Sequence, residues 1–345
     1  MRCNRARGKG MPTRGVVIEM FQTTVDTGVI KQAVELACRA PSLHNSQPWR
    51  WSLQGGVLDL FADRGRIGSG TDSTGREVPI SCGAALDHLR VAMSAVGWQT
   101  RVDRLSDPKD RDHLASMDFQ PADTTTDAQR SRADAIRVRR TDRRPFAAPQ
   151  QWNSLEPVLR ATVDSSVAEL AVIDEDVRSR LAEASLLSEH VRRNDDTYHA
   201  ELRWWTTGSG ESDGIPPGAL PSQLDEERVD VGRAFPTDGV VPRRADVEPD
   251  RSKIVVLSTC DDSSANALGC GEALSAVLLE CTMAGLATCT LTHMIEVDPS
   301  REIVRHVTGK TALPQLLVRI GIAHSTHPSQ PPTPRRPLSE VLEVR

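Results

Sequence analysis

Residues 40–51 read Ala40-Pro41-Ser42-Leu43-His44-Asn45-Ser46-Gln47-Pro48-Trp49-Arg50-Trp51. Pro41 and Pro48 bracket a turn, because proline fixes its own backbone and pushes the preceding residue out of the helical region. Between them, Ser42, His44, Asn45 and Gln47 set four polar side chains on backbone that neither helix nor sheet satisfies. Such a loop can present donors and acceptors to a flat heteroaromatic ring, although the same residue types also build plain surface turns. Upstream, Thr27 to Arg39 reads as a helix that Asp26 or Thr27 can cap. Downstream, Trp49 to Ala62 holds two short strands joined at Gly55-Gly56, a hairpin signal.

The rest of the chain suits a water-soluble enzyme. Its 345 residues can bury a large core, enough for two domain-sized units. A net charge of -5 with 38% hydrophobic residues argues against nucleic-acid binding and against wholesale disorder. No apolar run approaches the ~20 residues that cross a bilayer, so no membrane partner is expected. Residues 1–20 read as a disordered extension, with Met11 or Met20 as a candidate initiator, and the protein is expected in the cytoplasm. Seven cysteines fit that compartment. No Cys-x-x-Cys or His-Glu-x-x-His pattern suggests a metal site. Gly309-Lys310-Thr311 is not a phosphate loop, since the glycine that should precede it by five residues is Val304.

The sequence repeats. Cys82-Gly83-Ala84-Ala85-Leu86 matches Cys270-Gly271-Glu272-Ala273-Leu274, and the alignment continues ungapped to Gly97 and Gly285. Both segments carry apolar stripes at helical spacing, Leu86, Leu89, Met93 and Val96 in one and Leu274, Val277, Leu278 and Cys281 in the other. Each ends in a glycine suited to a helix cap. The offset is about half the chain, which favours two copies of one fold unit. Further strands are expected at 169–173, 253–259 and 315–322, whereas 101–130 is charged and weakly periodic. Residues 206–252 are rich in Gly, Pro and Asp, as in a lid, a binding loop or disorder. Tyr198, Trp204 and Trp205 could anchor them.

A second chemically loaded stretch is Arg137-Val138-Arg139-Arg140-Thr141-Asp142-Arg143-Arg144-Pro145-Phe146. In isolation it is a solvated basic run. Residues 40–49, however, resemble the flavin-contacting loop of the nitroreductase superfamily, Pro-Ser-x-x-Asn-x-Gln-Pro-Trp. The basic run is similar to that family's Arg-Arg-Ser-x-Arg-x-Phe signature, with Thr141 in the serine position and one extra residue before Phe146. The resemblance implies that Arg139, Arg140, Thr141 and Arg143 hold the phosphate and the pyrimidine edge of FMN, together with the terminal pair Arg335 and Arg336. Guanidinium forks suit a dianionic phosphate. It also implies flavin contacts for Ser42, His44, Asn45 and Gln47, and for Gly271 at the second repeated helix.

Members of that family are homodimers whose sites combine a basic signature from one protomer with a polar loop from the other. Here the loop lies in the first half and the signature in the second, with Gln22 to Ile30 and Leu155 to Ile173 standing where the complements would be. The chain thus resembles a fused dimer with one complete site, and with Trp204-Trp205-Thr206 it is similar to the Acg family. That resemblance implies an α+β fold of two tandem nitroreductase-like units, with antiparallel-rich sheets packed against helices. The expected parts are an N-terminal half at 21–130 and a C-terminal half at 131–345 with a lid insertion at about 206–252. The implied function is NAD(P)H-dependent, FMN-mediated reduction of nitroaromatics or quinones by a monomeric pseudo-dimer or a homodimer. The alternative is FMN storage under a lid closed to NADPH and NADH. The cofactor carries such chemistry, so no catalytic side chain is required, and His44 is the only ionisable candidate in the loop.

Overall fold

The computed structural model describes residues 24–107, 109–208, 210–235, 248–324 and 332–345. The extension expected at residues 1–20 lies outside these ranges, as does the 236–247 part of the lid segment. In the first half, α1 (Thr27–Ala37) starts at Asp26, whose carboxylate accepts the Gly28 N–H at 2.7 Å. Strands β1 (Trp49–Gln54) and β2 (Val57–Ala62) follow, joined at Gly55 and Gly56 with φ of 59° and 85°. Two such φ angles are those of the hairpin turn expected from the sequence. Then come α2 (Glu77–Ala95), β3 (Trp98–Arg104), β4 (His113–Pro121) and α3 (Asp127–Val138). A reciprocal cap between Thr126 and Gln129 opens α3.

The second half contains β5 (Phe146–Ala147), α4 (Trp152–Thr162) and β6 (Glu169–Val172). Helices α5 (Arg178–Arg192), α6 (Asp196–Arg203) and the short α7 (Gln223–Glu226) precede β7 (Lys253–Thr259). The chain continues through α8 (Ser264–Met283), β8 (Ala287–Leu291), α9 (Asp298–Thr308) and β9 (Leu313–Ala323), and ends with α10 (Leu338–Val341) and β10 (Leu342–Val344). One sheet has the order β10-β1-β2-β4-β3; the other runs β5-β9-β7-β6, with β8 also on β9. Within them β1-β2-β4-β3 and β6-β7-β9-β8 share one order, with every neighbour antiparallel.

Helices α2 and α8 cross at the centre. A Cβ on Gly83 would lie 1.9 Å from the Leu268 carbonyl oxygen, and one on Gly271 would lie 1.9 Å from that of Ile80. Only glycine permits so close a backbone approach. The hydroxyl of Ser275 donates to the Asp87 carboxylate at 2.6 Å, joining two positions 188 residues apart, the offset of the repeat. Leu86, Leu89 and Met93 fill the first core, and Leu274, Val277 and Leu278 the second. Each such side chain contributes roughly 1.5–3 kcal/mol by leaving water.

The charged 101–130 region holds most of β3, all of β4 and the start of α3. Strand β10 pairs in parallel with β1, so the end of the chain completes the first sheet. Among the described residues no helix is long and apolar enough to cross a membrane.

Candidate functional site

The polar loop runs between α1 and β1 in a contorted path. His44, Asn45 and Gln47 have φ of 50°, 59° and 49°, in the left-handed region that side chains other than glycine rarely adopt. Strain of this kind persists only where the surroundings hold it, and it clusters at functional sites. The holders are visible. Gln47 N–H donates to the Ser42 hydroxyl at 3.0 Å, and the Asn45 amide donates to the carbonyls of Gly214 (3.0 Å) and Pro334 (3.2 Å). The Gln47 amide donates to Ser212 O at 2.8 Å and accepts from Arg336 N–H at 2.9 Å. Residues 212–214 are thereby stitched to the loop at the beginning of the proposed lid.

Beside the loop is a small cleft of about 50 Å³, lined by Arg39, Arg139, Arg140, Arg143 and Arg335 together with Ser42, Asn45 and Thr141. No carboxylate is among its described lining residues. The arginines instead hold backbone carbonyls: Arg139 donates to Arg39 O (3.3 Å), and Arg335 to Cys38 O (2.9 Å) and Arg39 O (3.0 Å). Two nitrogens of Arg139, Nε and Nη1, are buried without a partner among the described residues, as is Nε of Arg39. Burial, with Arg140 and Arg39 beside it, pulls Arg139 down to about 10, and burial with Arg139 and Arg39 pulls Arg335 down to about 9. Gathering buried cations without an anion is unfavourable. This donor set fits a phosphate.

A larger cavity of about 510 Å³ adjoins the cleft, since Pro41, Ser42, Thr141 and Arg143 line both. His44, Glu77, Ile80, Leu274 and Leu316 form its inner wall; Pro221, Val229, Arg233 and Phe235 close it from the insertion side. The Arg143 guanidinium lies 5.3 Å from the Phe235 ring centroid and donates to Ala219 O at 3.1 Å. The His44 ring stacks on Trp205, centroids 6.4 Å apart and planes 23° apart. Burial, then Arg233 and Arg143, pushes the His44 imidazole well below its usual range, so it is neutral at physiological pH.

Most of the expected residues converge here, but not all face the cavities. Gly271 lies in the α2–α8 crossing, where the Ile80 carbonyl explains the glycine, and lines neither cavity. Gln47 and Arg336 brace the loop rather than line the cleft; the Arg336 side chain turns to Glu340. Arg144 forms a two-pronged pair with Asp142 (2.8 and 2.6 Å), which leaves Arg143 as the arginine of that register on the cavities. Sequence reading missed Arg39, Glu77 and Arg233. Arg39 directly precedes the loop motif and was the most findable of the three.

No protein-family model matches the sequence. In Mycobacterium tuberculosis, "Putative NAD(P)H nitroreductase acg" is 52% identical over 326 residues, covering 94% of this chain and 98% of its own length. The chain belongs to the Acg family. A second M. tuberculosis relative of this chain, named "Putative NAD(P)H nitroreductase Rv3131", is 37% identical over 324 residues, with 92% of each chain covered. Among solved structures, the FMN-dependent nitroreductase NfnB of Mycobacterium smegmatis in complex with NADPH aligns with 62% of this Acg-family chain and 97% of its own. Its TM-score is 0.38 at 17% identity.

Proposed function

We propose that this Acg-family chain binds one FMN and acts as an NAD(P)H-dependent oxidoreductase on nitroaromatics or quinones. The observation that carries the reading is the cleft of five arginines, Arg139 buried and the others half-buried, without a carboxylate and opening directly into a cavity of ring-binding size. In this reading Arg39, Arg139, Arg140 and Arg335 hold the phosphate through charge-assisted hydrogen bonds. Ser42, Thr141 and Arg143 stand where cleft and cavity join, so they orient the cofactor between its two ends. The loop keeps its strained form because Gln47 and Asn45 are tied to Ser212, Gly214 and Pro334, which fixes His44 against the cavity. Phe235, Trp205 and the 221–235 segment keep water from the ring. FMN, when bound, supplies the hydride-carrying chemistry.

One observation favours the storage alternative: the insertion whose 221–235 part closes the cavity is tied to the polar loop at Ser212 and Gly214, by Gln47 and Asn45. A lid of this kind could exclude nicotinamide. The test is an absorption spectrum of the protein with added FMN, followed by anaerobic NADPH. A bound flavin bleached within turnover times supports the reductase. A bound flavin bleached by dithionite alone supports storage, and failure to bind FMN refutes both.

A further inference from the structure

We propose that Glu77 is the proton donor of the ring cavity, passing its proton to the oxygen of a quinone-type acceptor as that acceptor is reduced there. The inference rests on the oxidoreductase reading and adds the acid that a two-electron reduction needs.

Glu77 sits in the first turn of α2, only 2% exposed, on the wall formed by Ile80, Leu274 and Leu316. One carboxyl oxygen accepts from Arg76 Nη2 at 3.2 Å. Its second oxygen has no hydrogen-bond donor among the described residues. Arg76 is also held by Gln315, through its backbone carbonyl (3.0 Å) and side-chain oxygen (2.7 Å). Nor is Glu77 needed as the cap of α2. Asp72 takes that part, accepting the N–H groups of Arg76, Glu77 and Val78 at 2.9, 3.1 and 3.3 Å. The buried ion pair with Arg76 (3.2 Å) accounts for one oxygen of Glu77 and leaves the other on the cavity wall.

The charges around it come from three elements. Arg76 and Asp72 lie at the start of α2, Glu296 just before α9, and Arg233 in the insertion, where it is ion-paired with Glu296. Burial outweighs the rest and pushes Glu77 up to about 8, with Arg76 opposing and Glu296 and Asp72 assisting. Raised above its ordinary value, the group holds its proton below about pH 8 and loses it above. Other groups on the cavity are already engaged or lie on its far side. His44 is neutral, and the Ser185 hydroxyl is held by His293 and Gly232 O, each at 2.9 Å. Burial also raises Glu189, and pushes Glu226 up to about 7, but both stand on the insertion side, where Glu226 accepts the Phe235 N–H at 3.1 Å.

The balance is simple. The quinone gains a hydride, ultimately from NAD(P)H, and the Glu77 O–H bond breaks to deliver the one proton that completes the hydroquinone. The products are a hydroquinone and a carboxylate, which water reprotonates. General acid catalysis of this kind contributes about a hundredfold or more.

The test uses the full chain loaded with FMN, reduced with dithionite and mixed with menadione in a stopped-flow instrument. Wild-type reoxidation should slow as pH rises through about 8. Glu77→Gln should be about a hundredfold slower at low pH and lack that limb, Glu77→Asp should restore it, and FMN affinity should be unchanged. A second readout needs no flavin. Infrared difference spectra of the chain alone should show a carboxylic C=O component that titrates away over the same range and is lost from the wild-type signal in Glu77→Gln, while the component from Glu226, which titrates at about 7, stays. An intact pH limb in Glu77→Gln, or an ionised Glu77 well below pH 8, overturns the proposal. If the chain takes up no FMN, the oxidoreductase reading fails on its own, and the infrared titration still decides whether Glu77 holds a proton.

Discussion

The two halves share a strand order and a central helix, yet they differ at two matching positions. Between α1 and β1 the first half carries the strained loop with His44, Asn45 and Gln47 in left-handed backbone. Between α4 and β6 the second half has only a short connection, 163–168, with no such loop. Between β1 and β2 the first half turns at Gly55-Gly56. Between β6 and β7 the second half inserts α5, α6 and α7, of which α5 and α7 wall the cavity. Thus one half gives the loop and the other gives the basic signature and the cover. A repeated scaffold need not repeat its site, because the site is built from connections, and connections tolerate insertion.

The sharpest way to break this comparison is at the crossing, where the halves behave alike. Gly83→Ala and Gly271→Ala should each destabilise the fold by about 3 kcal/mol or more. Both push a methyl group into the facing backbone carbonyl. Thermal or denaturant unfolding checks this, and a large loss for Gly83 with none for Gly271 would mean that the crossing is not symmetric.

The next effect belongs to one half's signature. Arg139→Ala or Arg335→Ala should weaken FMN binding roughly ten- to a hundredfold, from about 1.5–3 kcal/mol per charge-assisted bond. Riboflavin, lacking the phosphate, should bind both variants as it binds the wild type. Equal losses for riboflavin in a fluorescence titration would place these arginines elsewhere.

Inorganic phosphate should also raise the melting temperature of the flavin-free chain, by an amount that grows with the logarithm of its concentration. In Arg139→Ala that rise should shrink, because the buried cation that binds the anion is gone. An equal rise in both proteins would make it a general salt effect. The smallest effect is expected for Arg336→Ala, less than about threefold on FMN affinity, since its charge faces Glu340 in a partly exposed pair. A loss as large as that of Arg335→Ala would put both arginines on the phosphate.

Local signals made much of the fold legible. The Gly55-Gly56 turn, the strands near 169, 253 and 315, and the two central helices were all readable from spacing. The missed strand β4 lies in a charged region, and its neighbour β3 buries no residue fully, so alternation there is faint. Strand β10 is three residues long and pairs with β1, a contact that no local pattern reports. At the site, the loop and the basic signature stood out as motifs. Arg39, Glu77 and Arg233 did not, because each is a single charged residue whose meaning comes from burial and from partners distant in sequence. The resemblance makes Gly271 a flavin contact, whereas its constraint in the fold is the Ile80 carbonyl across the crossing.

The central claim is that two similar halves build one site. Titrating the full chain with FMN, by calorimetry or by quenching of flavin fluorescence, tests it most directly. The account predicts saturation at one FMN per chain, with Arg139→Ala weakening that single event. Saturation at two per chain, or one bound FMN whose affinity ignores Arg139, would contradict it.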